Sequence, residues 1–285
     1  MGGLHPHRAL TLCDPLRGPR WVWLRDLVEH PLDPLSADEF TTVAAILRRE
    51  HNVGEGWRIA AVELVEPTKA ELAAFDAGGT APDRCAAVIC LDRAKNATHK
   101  GVVSLTGDRV ESFDHIPGVQ ANFTVDEFVE CDQALRNHPD VIAALAKRGI
   151  TEIENVFMDT WTYGDAVAPP EYRDRRIGWS DTWYKAAPGA NPYAHPVSGL
   201  HCVIDLNTME VLRVEDDGSD EKPNVMGEYV PHHIPERVRA ASDREPLKPL
   251  HITQPVGPSF TVDGNLLQWQ NWSLRIGFNH REGMT

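Results

Sequence analysis

The strongest constraint on the fold is a helix-start signal that occurs twice. Ser36-Ala37-Asp38-Glu39 and Thr124-Val125-Asp126-Glu127 are both capping boxes, in which a hydroxyl and a carboxylate three residues apart satisfy the free amides of a first helical turn. After the first, Phe40, Val43, Ala44, Ile46 and Leu47 form one apolar stripe, which predicts a helix through about Arg49 lying on a sheet. Strand-like runs follow at 58–65, 86–91, 101–105 and 109–113, joined in part by a helix beginning at Pro67 and by a tight Thr106-Gly107-Asp108 turn. After the second box the plan starts again. A helix runs to about Arg136, and another is opened by His138-Pro139-Asp140 and stopped at Gly149, where a left-handed residue fits. Strand-like runs then occur at 154–158, 176–183, 200–206 and 210–214. The fold class expected is α+β: two cystatin-like domains, each a helix on an antiparallel sheet, at 31–121 and 122–228.

The flanks differ from this plan. Residues 1–30 are rich in Pro, Arg, His and Trp without a period and are expected to form a poorly ordered extension. From about Val214 the chain is acidic and proline-rich, a composition that builds no core, and 229–258 is expected to be a linker. Alternating apolar residues return at Phe260, Val262, Leu266, Trp269, Trp272, Leu274, Ile276 and Phe278, as in the first strands of a larger β structure. Two or three strands are not stable alone in water, so 259–285 is expected to be the start of a truncated sandwich.

The 28 Lys and Arg against 42 Asp and Glu give a net charge of −14, which repels phosphate backbones and anionic lipid. Nucleic acid is therefore not expected as a partner, and no segment is apolar enough to suggest a membrane span. Cys13, Cys85, Cys90, Cys131 and Cys202 are odd in number and outside any CxxC pattern, which suggests a reducing compartment. The prolines among the first twenty residues interrupt any secretory leader, so a cytoplasmic location is expected.

One stretch carries a specific resemblance. His251-Ile252-Thr253-Gln254-Pro255-Val256-Gly257-Pro258-Ser259-Phe260, followed by the run Trp269 to Gly283, resembles the entry into the catalytic β-sandwich of copper-containing primary amine oxidases. Upstream, His30 to Asp38, Asp159-Thr160-Trp161 and Tyr193-Ala194-His195-Pro196 are similar to the small N2 and N3 domains of that family, in particular its fungal and actinobacterial branch. The resemblance implies oxidative deamination of a primary amine by oxygen, with copper and a topaquinone formed from a tyrosine as cofactors, in a homodimer joined through the sandwich. It also implies that the base, the quinone tyrosine and the copper ligands come after Thr285. No Asn-Tyr-acid triplet occurs in the sequence, and its one His-x-His is His5-Pro6-His7. No catalytic or metal residue is therefore expected within 1–285, and the chain alone is expected to be inactive.

The resemblance further implies that Phe128, Trp161 and Tyr193 line the amine channel, where aromatic faces accept an apolar tail and attract an ammonium. Without it, Phe128 and Trp161 read as core residues. Asp159 reads as structural, His195 as a residue satisfied by backbone, and His232-His233 as surface. The competing function is a non-catalytic module that binds an amine or a protein.

Overall fold

The computed structural model describes residues 11–14, 18–21, 30–164, 167–221, 223, 227–236, 238–239, 245, 247–279 and 283–284. It confirms the α+β class. Two four-stranded antiparallel sheets, each with its strands in chain order, carry helices on one face. The first unit contains α1 (Ala37–His51), β3 (Trp57–Val65), α2 (Lys69–Asp76), β4 (Cys85–Asp92), β5 (Ala97–Ser104) and β6 (Arg109–His115). The second contains α3 (Val125–Arg136), α4 (Pro139–Lys147), β7 (Val156–Thr162), β8 (Ile177–Tyr184), β9 (Pro196–Asp205) and β10 (Val211–Asp216).

Both expected capping boxes form. Ser36 and Thr124 accept from the amides of Glu39 and Glu127, whose carboxylates reach back to the cap amides. A third box, Thr68 with Glu71, opens α2. Gly149 ends α4 with φ +67°, as its position predicts. Several strands start or end elsewhere than expected. β5 begins at Ala97 rather than Gly101, because Asn96 turns the hairpin at φ +48° and the polar run Thr98 to Lys100 pairs with β4. The run expected from Glu154 opens as a single 3-10 turn, Ile153–Asn155, before β7.

In the first core Val43, Ile46 and Leu47 of α1 meet Ala86, Val88, Cys90 and Val103 of the sheet. The second core is larger: Cys131, Leu135, Val141, Ala144 and Leu145 of two helices pack on Val156, Met158, Leu200, Cys202 and Ile204. Each core is closed by an arginine standing just before the second strand of its sheet. Arg84 donates to both oxygens of Glu39 (2.5 and 3.1 Å) and to the carbonyls of Pro31, Asp33 and Pro34. Arg176 donates to both oxygens of Glu127 (3.0 and 3.1 Å) and to the carbonyls of Ala121 and Asn122. In both units a guanidinium therefore ties the capping-box carboxylate to the chain that leads into the helix. Arg176 and Glu127 are sealed from water, whereas Arg84 and Glu39 keep 13% and 17% of their side chains exposed.

The units meet on a polar seam. Arg58 and Arg93 of the first reach Glu130 and the carbonyl of Asn207 in the second, and Asn207 donates to the Asn96 side chain at 2.9 Å. Thr98 donates to the carbonyl of Val119 in the connecting segment.

The flanks depart in part from expectation. Within 1–30, where a poorly ordered extension is expected, β1 (Thr11–Asp14) and β2 (Gly18–Trp21) pair as an antiparallel hairpin. No hydrophobic period announces two strands of four residues. After the proline-rich connection, β11 (Phe260–Asp263), β12 (Leu266–Trp269) and β13 (Trp272–Arg275) form an antiparallel meander, followed by the short pair β14 (Phe278–Asn279) and β15 (Gly283–Met284). Arg275 pairs with Asp33 at 3.2 Å, anchoring the meander to the turn before α1. Its aromatic residues remain open, with Trp269 46% and Trp272 58% exposed.

Candidate functional site: an aromatic face over Asp159

Side chains alternate along a strand, so Phe157, Asp159 and Trp161 of β7 point to one face and Met158 and Thr160 to the other. Met158 belongs to the core, which leaves Phe157, Asp159 and Trp161 on the face turned away from the helices. Antiparallel register places Trp183, Asp181 and Trp179 of β8 opposite them. The result is an acidic row between two aromatic rows. His201 of β9 extends the acidic row, with Nδ1 3.0 Å from Asp181 and its ring stacked on Trp179 at 4.8 Å.

Two further elements close over this face at the β7 edge. α3 runs along that edge and is fixed to it by Asp132, which accepts from the Met158 amide at 3.0 Å. This brings Phe128 to 5.6 Å from Phe157, ring centre to ring centre. The 3-10 turn Pro192–Ala194 carries Tyr193; its amide donates to the Asn191 side chain at 3.0 Å. The Tyr193 ring lies 5.7 Å from Phe157 and 5.1 Å from Trp183. Asp159, only 4% exposed, lies near enough for its charge to act on the Tyr193 phenol. Burial raises the Tyr193 phenol above the usual tyrosine range, and the negative charge of Asp159 raises it further.

The structure thus joins two of the three expected channel residues, Phe128 and Tyr193, through Phe157. Trp161 stands on the same face but is 62% exposed, and among the described residues it makes no ring contact with the other two. Sequence reasoning missed Phe157 and Trp183, although the spacing 157, 159, 161 carries the signal of a shared face. His195 is buried, with Nδ1 3.2 Å from the Tyr184 carbonyl and Nε2 2.7 Å from that of Gly227, so backbone does satisfy it. His232 is exposed and His233 half-buried, with ring centres 4.4 Å apart.

Two family models match this chain side by side: an AGAO-like N2 domain over residues 36–113 and a copper amine oxidase N3 domain over 126–227. The chain belongs to the copper amine oxidase family. A primary amine oxidase of Arthrobacter sp. (strain P1) is 40% identical over 258 residues, which is 90% of this chain and 38% of that protein. N-methylputrescine oxidase 1 of Nicotiana tabacum is 32% identical, with 90% and 37% covered. The benzylamine oxidase of Hansenula polymorpha shares the fold at a TM-score of 0.71 and 22% identity, over 90% of this chain and 41% of that one. This copper amine oxidase family chain therefore spans well under half the length of the relatives it matches.

The cofactors of the family find no fit among the described residues. No group of three or more His, Cys, Asp or Glu is placed to hold a metal, and no tyrosine stands in an Asn-Tyr-acid triplet. His5-Pro6-His7 lies outside the described residues. No helix among them is long and apolar enough to cross a membrane.

Proposed function

We propose that this chain forms the amino-terminal domains and the amine-channel wall of an enzyme that converts a primary amine, oxygen and water to aldehyde, ammonia and hydrogen peroxide. The domains are taken as 31–121 and 122–228, with 229–258 as linker and 259–285 as the first strands of the sandwich. Phe128, Trp161 and Tyr193 line the channel. The observation that carries this reading is the aromatic face itself, in which Phe128, Phe157 and Tyr193 stand in ring contact around the buried Asp159. Such a face suits an ammonium with an apolar tail: rings over a cation contribute about 0.5 to 2 kcal/mol, and a buried carboxylate adds charge attraction. Copper and topaquinone belong to the reading by family membership. Assembly as a homodimer through the sandwich, and a cytoplasmic location, complete it. The free thiols of Cys85, Cys90, Cys131 and Cys202 support that location.

The test is peroxide release from methylamine and benzylamine by the copper-loaded protein that carries this chain. Phe128→Ala and Tyr193→Ala should each change kcat/KM for benzylamine by about tenfold or more, the scale of losing one apolar contact in a pocket. Absence of peroxide with any primary amine, together with amine binding seen by calorimetry, would instead establish the non-catalytic binding module.

A further inference from the structure

Phe128 is held by charges on both sides of it along α3, and two of the three cations come from the other unit. Glu127, the residue before it, is fully buried and bonded by Arg176. Glu130, two residues after it, accepts two hydrogen bonds from Arg58 of β3, at 3.2 and 2.5 Å. The Arg58 Nε lies 3.8 Å from Glu127 Oε1, an ion-pair distance, and is a buried nitrogen without a hydrogen-bond partner. Arg93, also of the first unit, comes within 4.0 Å of Glu130. The Arg58 side chain is 8% exposed, so it has little water to turn to if α3 moves. A planar guanidinium that grips one carboxylate and faces a second fixes the helix both along its axis and in rotation about it. Rotation of α3 is the motion that would carry Phe128 toward or away from Phe157.

We infer that Arg58 is a positioning residue for the aromatic face: the first unit sets where Phe128 stands, and so tunes which amine tails the face admits. This rests on the channel reading above for its consequence, but not for its geometry. It also assigns the first unit a task beyond packing, since none of the ring residues of the face lies in it.

Two readouts test the inference and separate it from the channel reading. The first uses the chain labelled with 4-fluorophenylalanine, which gives a resonance for each of its eight phenylalanines, with Phe128 assigned through Phe128→Leu. Arg58→Met should shift the Phe128 resonance while those of Phe75 and Phe113, in the first unit, stay in place. Glu130→Gln should shift it in the same direction by less, and Arg58→Lys, which cannot grip in a fork, should fall between wild type and Arg58→Met. If Arg58→Met does not fold, which a collapse of all eight resonances would show, Glu130→Gln and Arg58→Lys still decide. A Phe128 resonance that none of the folded variants moves overturns the inference.

The second readout is the ratio of kcat/KM for benzylamine to that for methylamine. Arg58→Met should change it by about fivefold to tenfold, in the direction of Phe128→Ala, with kcat for methylamine within about twofold of wild type; misplacement of a positioning contact acts on this scale or above it. A ratio that Phe128→Ala moves and Arg58→Met does not overturns the tuning role. A ratio that Phe128→Ala itself leaves unchanged sinks the channel reading, and the fluorine resonance then still reports whether Arg58 places Phe128.

Discussion

The two units share a plan and use it differently. Each opens with a capping box, lays its helix on a four-stranded sheet in chain order, and locks the helix start with an arginine standing before the second strand. The difference lies on the sheet face away from the helices. In the first unit Arg58, Leu91 and Thr98 form one row across that face and are all buried, with Arg58 and Thr98 bonded to the second unit or the segment leading into it. In the second unit the corresponding face presents aromatic rings and carboxylates, with Trp161 open to solvent. One copy of the plan supports and the other displays, which shows how a repeated scaffold separates tasks without changing topology.

The largest expected break in this symmetry is at the two arginines. Arg176→Met leaves the Glu127 carboxylate buried without its main partner and should cost about 3 to 5 kcal/mol in urea unfolding. Arg84→Met leaves a carboxylate that water can reach and should cost about 1.5 to 3 kcal/mol. Equal costs would show that burial does not distinguish the two locks.

Acid should separate the units next. Burial pushes the Glu39 carboxyl up, but Arg84 and the Ser36 cap outweigh it and the net shift is downward. Asp216, at the end of β10, is lowered to about 2 by the Gly218 amide and then by Lys147 and Arg148. A carboxylate depressed in the fold adds stability above its unfolded pKa and loses it as pH falls through the folded one. Stability should therefore decline below the ordinary carboxylate range, and Asp216→Asn should flatten the limb between about pH 4 and 2. An unchanged limb in the variant, followed by tryptophan fluorescence, would assign acid sensitivity elsewhere.

A smaller effect isolates the aromatic face. In an ultraviolet titration of the folded chain Tyr193 should ionise above the usual tyrosine range, and Asp159→Asn should bring it part of the way back, since burial remains. A titration that Asp159→Asn leaves unchanged would remove Asp159 from the site. The smallest effect is common to both units: Cys90 in the first core and Cys131 and Cys202 in the second are pushed up to about 12 by burial. They should resist a thiol reagent in the native state, and the half-buried Cys85 should react before them. Early labelling of Cys131 or Cys202 would show that the second core opens locally.

What the sequence disclosed and what it hid divide by distance along the chain. Capping boxes, apolar stripes and the Gly149 stop are patterns of a few residues and all of them are legible, the Thr68 to Glu71 box included. Strand limits held to one residue in β3 and β8 and missed by four at the starts of β5 and β9, where Ala97 to Lys100 and Pro196 to Gly199 carry no apolar alternation. The hairpin within 1–30 had no pattern to find. Phe128 and Tyr193 entered only through family resemblance, and their common neighbour Phe157 needed the register of β7. The arginine locks and the Arg58 seam join residues that no local pattern connects.

Those locks also bear on the order of folding. Arg84 and Glu39 are 45 residues apart in the chain, and Arg176 and Glu127 are 49 apart. The cap amides are satisfied locally, but neither box carboxylate finds its arginine nearby; each waits for its second strand to arrive, and the loop-closure entropy must be met first. α1 and α3 should accordingly reach full protection from hydrogen exchange only together with β4 and β8, in a slow phase set by chain topology rather than by helix nucleation.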